Sequence, residues 1–290
     1  MIYRYQYINT DLYSCKVLLL YHFLLYNFYM NNKAFLKVAM KAAEQAGPIF
    51  KKYFGRAQNI KSKNGDFRDL VTDTDKQIEN SIRKLILKNF PSHKIIGEEY
   101  GSQNLEKNDF VWIIDPIDGT TNYIQGLPIC CISIGLWQNN TPLVAVVYNP
   151  TLNEIFTAVK GKGAFLNGKK ISVSKKSTLN LAFGGFGWGR NIHKAQVNFP
   201  RLLPLLHKVR TLGSATLEMC FIAMGVFDFH IQSEISLWDF AASTLIIEEA
   251  GGTVTELNGK KLNMQSRSFL ASNRKLHPKL LSKLKKTIIY

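Results

Sequence analysis

The 290-residue chain is 46% hydrophobic, ample for one large domain or two small ones, and its +16 formal charge permits an anionic substrate, a nucleic acid or a membrane surface without selecting among them. Cys15, Cys130, Cys131 and Cys220 show no CxxC spacing, which excludes a zinc knuckle or disulfide framework and points to a reducing compartment. The residues six past them, Tyr21, Leu136, Trp137 and Val226, are not the arginine that closes a cysteine-phosphatase loop.

Val17 to Phe28 is apolar but only about a dozen residues long and is interrupted by His22 and Asn27, short of the roughly 20 residues that span a bilayer. It has no signal-peptide cleavage site either, so residues 1–30 are left unassigned and the working protein is expected to begin near Met30. Phe35, Leu36, Ala39, Ala42, Ala43, Ala46, Ile49 and Phe50 recur at helical spacing, which predicts a helix from Asn32 to Phe54. A polar segment from Arg56 to Phe67, with Lys61 and Lys63, reads as mobile. Asp69-Leu70-Val71-Thr72-Asp73-Thr74-Asp75 then opens a second amphipathic helix carrying Ile78, Ile82, Leu85 and Ile86, stopped by Pro91. Thr72 and Asp75 have capping-box spacing, and Asp73 is read as an acidic residue suited to the helix amino end rather than as a nucleophile.

Ile95-Ile96 reads as a strand closed by Gly97-Glu98-Glu99, and Phe110 to Ile114 as a buried strand that breaks into Asp115-Pro116-Ile117-Asp118-Gly119-Thr120-Thr121. Strand ends deliver ligands in open α/β sheets, so carboxylates at two of them are candidates for a shared site. Ile129–Trp137, Leu143–Tyr148, Glu154–Val159, Ala164–Leu166 and Ile171–Val173 continue a largely antiparallel sheet, with a hairpin at Asn167-Gly168. Beyond Ser174 the pattern is indistinct until Gly213-Ser214-Ala215, which opens a helix through Met224; Phe227–Ile231 is strand-like. Ser236 and Asp239 again have capping-box spacing, at the head of a helix with Trp238, Ala241, Ala242, Leu245, Ile246 and Ala250 on its buried face, ended by Gly251-Gly252. Strands near Thr253–Leu257 and Phe269–Ser272 and a basic final helix complete the chain.

Glu98, Asp115, the Ile117 carbonyl, Asp118 and Asp239 supply oxygen ligands, and no histidine lies in these clusters, so the metal they suit is magnesium rather than zinc. Two such ions about 3.5 to 4 Å apart would activate a water for in-line attack on a phosphate monoester, without a covalent enzyme intermediate. The Gly119-Thr120-Thr121 turn offers backbone N–H groups to a phosphate, though the same residues also make an ordinary turn.

The motifs GEE at 97–99, DPIDGTTN at 115–122, WDFAA at 238–242 and EEAGG at 248–252, in that order and with DLVTDTD upstream, resemble those of the inositol monophosphatase family of lithium-sensitive, magnesium-dependent phosphatases. The resemblance runs from about Asn32 to Lys285 and implies an α/β layered αβαβα sandwich of the inositol monophosphatase and fructose-1,6-bisphosphatase type, as a cytoplasmic homodimer. It implies one phosphatase domain over residues 31–290, with halves about 31–173 and 174–290. Two or three Mg²⁺ would be held by Glu98, Asp115, Ile117, Asp118 and Asp239. Asp75 and Thr120 would orient and deprotonate the water, with Glu98 completing the catalytic set. Gly119, Thr120 and Thr121 would cradle the phosphate, with Ala215, Gln232 and Asp239 on the substrate. One position departs from the family pattern: members that process inositol phosphate carry Glu where this chain has Gln232, which trades a charged acceptor for an amide, with Glu234 two residues on. The expected substrate is inositol monophosphate or a similar polyol phosphate. The alternatives are fructose 1,6-bisphosphate, histidinol phosphate or a 3′-phosphorylated adenosine nucleotide, and, in a different class, an RNA- or ribosome-associated role suggested by the charge and the lysine-rich stretch from Lys275 to Lys286. No membrane partner is expected.

Overall fold

The computed structural model describes residues 32–63, 65–187, 189 and 199–285, so the expectation for residues 1–30 lies outside the described residues. The first helix, α1 (32–53), buries its alanine-rich stripe at Ala39, Ala42, Ala43 and Ala46. Gly55, at φ 66°, ends it as expected. The polar segment Arg56–Phe67 holds strand structure that its sequence did not mark. Lys61–Lys63 (β1) and Asp66–Val71 (β2) form an antiparallel hairpin. Its polar residues give no period-2 apolar signal; Leu70 lines the cavity described below, and Lys63 reaches Glu98 beside it.

Helix α2 (Asp73–Asn89) follows, with Thr72 at its N-cap, and β3 (Lys94–Gly97), β4 (Gly101–Ser102) and β5 (Phe110–Asp118) lead into the short helix α3 (Thr120–Gln125). Cys131–Gln138 (β6), Thr141–Asn149 (β7), Glu154–Val159 (β8), Ala164–Leu166 (β9) and Lys169–Lys170 (β10) complete a sheet of order β10-β9-β8-β7-β6-β5-β3-β4. The β3–β5 pair is parallel and the other pairs antiparallel. Asn167 and Gly168 both have positive φ at the β9–β10 turn, the geometry of a tight I′ hairpin. The strand expected at Ile171–Val173 is absent. The ladder ends at Lys170 and the chain leaves the sheet through single bonds, Ile171 N–H to Ala164 O (3.0 Å) and Val173 N–H to Ala250 O (3.1 Å).

The second half holds two strands that sequence patterning left unmarked, β11 (Phe183–Gly187) and β12 (Lys208–Arg210). Three of the five β11 residues are glycine, so no side-chain alternation advertises it. Helix α4 (Ala215–Ala223), β13 (Phe229–Ser233), helix α5 (Trp238–Glu249), β14 (Gly252–Thr255), β15 (Ser268–Asn273) and helix α6 (His277–Leu284) follow. The second sheet has order β12-β11-β13-β15-β14.

Three apolar clusters set the layers. Ile114, Ile132, Ile134 and Val146 face α1 and α2 on one side of the large sheet. Ile113, Val147 and Phe156 face α4 and α5 on the other, where Phe269 and Ala271 of the second sheet meet them. Phe229, Ile231 and Leu270 back onto Leu280 and Leu284 of α6. The order helix, sheet, helix, sheet, helix is the expected layered αβαβα sandwich. Helix α5 is therefore covered on both faces, and Phe240 through Ile247 are buried without interruption, wider than the single stripe read from the sequence. Gly135 lets it approach, since a Cβ there would lie 3.1 Å from Ala242 N, and Trp137 Nε1–H donates to Ala241 O at 3.0 Å.

Candidate active site

Strand β5 is longer than its sequence suggests. Rather than breaking after Ile114, it runs on to Asp118 with one extra residue against β6: Asp115 pairs with Ser133 and Asp118 with Cys131. In a regular strand residues three apart face opposite sides. The bulge resets that parity, so Asp115 and Asp118 share the α4/α5 face, while Ile117 turns to the α1/α2 side. Asp115 Oδ1 accepts the Ile117 N–H (3.0 Å), and Thr120 Oγ1–H donates to Ile117 O (3.0 Å), which together lock the turn.

The parallel register Gly97↔Ile114 sets the end of β3 beside the end of β5, and Glu98 N–H donates to Ile114 O (3.2 Å). Glu98 thus enters alongside Asp115. Underneath, buried Glu79 shapes this turn by accepting from the Glu99 N–H (2.8 Å), and a Cβ at Gly97 would collide with its carboxylate. From the other half of the chain, α5 brings Asp239. Asp115, Asp118 and Asp239 each offer an oxygen within 4.8 Å of the others. Glu98 lines the same cavity but stands outside that tight trio, with Lys63 Nζ 2.9 Å from Glu98 and 2.5 Å from Glu99. Burial alone would lower the Lys63 pKa; Glu98 and Glu99 reverse this and raise it.

Asp118 is anchored by the start of α4: Thr216 N–H (3.0 Å) and the Ser214 hydroxyl both donate to its Oδ2. Burial pushes its carboxyl up to about 7 despite those donors, and Glu98 adds to the rise. The Asp115 carboxyl is raised well above the usual range, by burial first and then by Glu98, Asp118 and Asp239. At Asp239 the expected capping box is half made. Ser236 N–H donates to its Oδ2 (3.0 Å), but the N-cap residue is Leu237, which has no side chain for the role. At Asp75 the box is complete: Thr72 N–H and Oγ1–H donate to Asp75 Oδ2 (2.9 and 2.6 Å), and Thr74 N–H reaches Thr72 Oγ1 (3.2 Å). Asp75 Oδ1 is buried with no hydrogen-bond partner, and burial raises this carboxyl to about 7. Asp73 is exposed at the first position of α2 and accepts from Asn59 Nδ2 (2.5 Å).

A cavity of about 320 Å³ lies over the trio, lined by Gly119, Thr120, Thr121, Ala215, Gln232 and Glu234 among others. Gly119 adopts φ 84° at the head of α3, and a Cβ there would lie 2.8 Å from Ile129 O. The residues predicted from sequence therefore gather in one place, except Asp75, which does not line the cavity. Sequence reasoning missed Ser214 and Thr216, Lys63, Glu79 and the pair Glu218 and His230; the helix-opening Gly213-Ser214-Ala215 was the one available signal for the first two.

A metal fits these residues. Buried carboxylates that repel one another need a cation, the orphaned Asp75 oxygen is a further unmet acceptor, and an all-oxygen donor set suits a hard ion. Such a centre flooring a polar cavity, within this layered sandwich, makes the protein a phosphoric monoester hydrolase. The chain belongs to the inositol monophosphatase family, whose family model matches residues 31–288. It is 42% identical over 248 residues to "Inositol monophosphatase 3" of Solanum lycopersicum, covering 82% of this chain and 92% of that protein. Among solved structures, an inositol monophosphatase from Anabaena (Nostoc) sp. PCC 7120 superposes with a TM-score of 0.80 at 34% identity, covering 89% of this chain and 97% of that one. An IMPase/NADP phosphatase complexed with Mg²⁺ and phosphate gives 0.77 at 27% identity, covering 87% and 95%. Among the described residues no helix is long and apolar enough to cross a membrane.

Proposed function

We propose that this protein is a Mg²⁺-dependent phosphatase of small phosphorylated polyols, with inositol monophosphate as its first substrate. The observation that carries the reading is the convergence of the Asp115, Asp118 and Asp239 carboxylates beneath the Gly119–Thr121 turn. Two or three magnesium ions held by Glu98, Asp115, the Ile117 carbonyl, Asp118 and Asp239 would polarise the phosphate oxygens and lower the pKa of a nearby water. The chain's own residues do the rest. Thr120 gives its hydroxyl proton to Ile117 O, which leaves its oxygen lone pairs to receive a water proton donor. Asp75, with one oxygen fixed by Thr72, the other unmatched and its carboxyl pushed up to about 7 by burial, has the properties of a general base, but it does not line the cavity and would act on the attacking water through an intervening group. The Gly119–Thr121 backbone holds the phosphate, while Ala215, Gln232 and Asp239 bound the leaving group. A cytoplasmic homodimer belongs to the same reading.

The test is phosphate release from inositol 1-phosphate, fructose 1,6-bisphosphate, histidinol phosphate, a 3′-phosphoadenosine nucleotide and NADP, with and without Mg²⁺. Magnesium-dependent release led by inositol 1-phosphate is expected. Turnover of that compound no faster than of an arbitrary monoester would overturn the substrate, and no magnesium-dependent release from any of them would overturn the chemistry.

A further inference from the structure

Strand β13 sends two polar side chains, His230 and Gln232, to one face of the second sheet, where α4 presents Glu218. All three are buried. His230 Nδ1 stands 3.0 Å from Glu218 Oε2, and Glu218 Oε1 accepts the Leu212 N–H (3.0 Å). On the other side of the ring, His230 Nε2 is 3.0 Å from Gln232 Oε1. With the amide oxygen at Nε2 and the Glu218 carboxylate 3.0 Å from Nδ1, the imidazolium suits both sides of the ring: it donates to Gln232 Oε1 and pairs ionically with Glu218, although Nδ1 and Oε2 are not aligned as a hydrogen bond. Burial works against that charge, but the Glu218 carboxylate outweighs it and raises the His230 pKa. With its oxygen at the ring, the Gln232 amide donates one N–H to Ser233 O (3.4 Å) and has a second N–H left over. Gln232 and Glu218 both line the cavity above the carboxylate trio.

The neighbouring strand is built around these groups. β11 runs parallel to β13 with Gly185 opposite His230 and Gly187 opposite Gln232. A Cβ at Gly185 would collide with the Glu218 carboxylate and the His230 ring, and one at Gly187 with the Gln232 amide. A strand that gives up side chains at two alternate positions weakens its own packing. The space released is filled by the relay.

Resting on the phosphatase reading above, we propose that Glu218 and His230 are positioning residues that fix the Gln232 amide with an N–H toward the leaving group. Position 232 thereby favours phosphomonoesters whose leaving group carries a hydrogen-bond acceptor, inositol hydroxyls included, and tolerates a second anionic oxygen better than a carboxylate at that position would. Charge-assisted hydrogen bonds are the strong ones, so an anionic acceptor gains most from a fixed donor. Sugar hydroxyls remain acceptable because they accept as well as donate.

The experiment measures kcat and KM with Mg²⁺ for phenyl phosphate, inositol 1-phosphate and fructose 1,6-bisphosphate, in the wild type and in Gln232→Glu and Glu218→Gln. In wild type, the kcat/KM of the bisphosphate relative to phenyl phosphate is the reference ratio. Gln232→Glu should lower that ratio about tenfold or more, through KM, because a donor facing an anion becomes a like charge. Glu218→Gln keeps an acceptor for Leu212 but no longer holds His230 as a cation; the Gln232 amide is then free to reverse, and the ratio should fall in the same direction. Should Glu218→Gln fail to fold, Gly187→Ala, which displaces the amide directly, carries the same test. A ratio unmoved by Gln232→Glu overturns the specificity role. A ratio moved by Gln232→Glu but unmoved by the folded second variant overturns the relay. No magnesium-dependent hydrolysis of any of the three substrates overturns the phosphatase reading and this inference with it.

Discussion

Asp118→Asn should inactivate the enzyme and at the same time stabilise its metal-free form. The amide is nearly isosteric, and its oxygen can keep the donors that Asp118 Oδ2 now receives, the Ser214 hydroxyl, the Thr216 N–H at 3.0 Å and the weak Cys131 thiol at 3.9 Å. The fold therefore loses no anchor. What it loses is one of the charges that converge within 4.8 Å. At that separation a like-charge pair costs about 3.5 kcal/mol at an effective dielectric of 20 and about 0.9 kcal/mol in water. Asp118 faces two such partners, Asp115 and Asp239, and shared protons cap the strain, so a gain of about 1–3 kcal/mol at pH 8 is expected. At about 2–4 °C per kcal/mol for a protein of this size, Tm in a chelator should rise by several degrees. The pH dependence fixes the cause. Folding raises the Asp118 carboxyl from 3.8 to about 7, so the folded state holds the extra proton across that interval. Metal-free wild type therefore loses stability as pH climbs from about 4 through 7. The advantage of the variant should be large at pH 8 and vanish near pH 4. Added Mg²⁺ should raise the Tm of wild type and do so far less in the variant, because an ion stabilises only the state that binds it. Differential scanning fluorimetry with and without chelator reads all of this. A variant less stable than wild type in chelator at pH 8, or near-normal turnover, would refute the reasoning.

Asp115→Asn should abolish turnover in the same assay, whereas Asp73→Asn should keep most of it, because Asp73 is an exposed helix-start residue bonded to Asn59. Gly119→Ala must place a side chain at φ 84° against Ile129 O, and about 1–2 kcal/mol of left-handed strain plus the close contact should appear as a lower denaturation midpoint and weaker phosphate binding. His277 is buried between the Ser272 and Thr255 hydroxyls (2.8 and 3.1 Å), and burial lowers its pKa to about 4. Its contribution is thus present above pH 6.5 and lost as pH falls toward 4, so His277→Gln should flatten the acid side of a urea-midpoint profile in proportion.

The sequence by itself determined the elements whose signals are local. Helical spacing marked α1, α2 and α5, the Asn167-Gly168 turn marked its hairpin, and Thr72 with Asp75 formed the box their spacing promised. It also named the carboxylates, because strand ends and helix starts are where side chains leave the core. Polar or glycine-rich strands stayed hidden. β2 and β11 are held by hydrogen bonding to neighbouring strands, and neither leaves an apolar alternation in the chain. Only the tertiary structure decided how the carboxylates meet. A one-residue bulge turned Asp115 and Asp118 to the same face, the parallel β3–β5 register brought Glu98 alongside, and the burial of α5 between two sheets carried Asp239 in from the far half of the chain. The surroundings of Gln232 were decided in the same way, by the His230 ring on its own strand and the Glu218 carboxylate that α4 brings against that ring, because a single side chain does not encode which end of its amide faces a ligand.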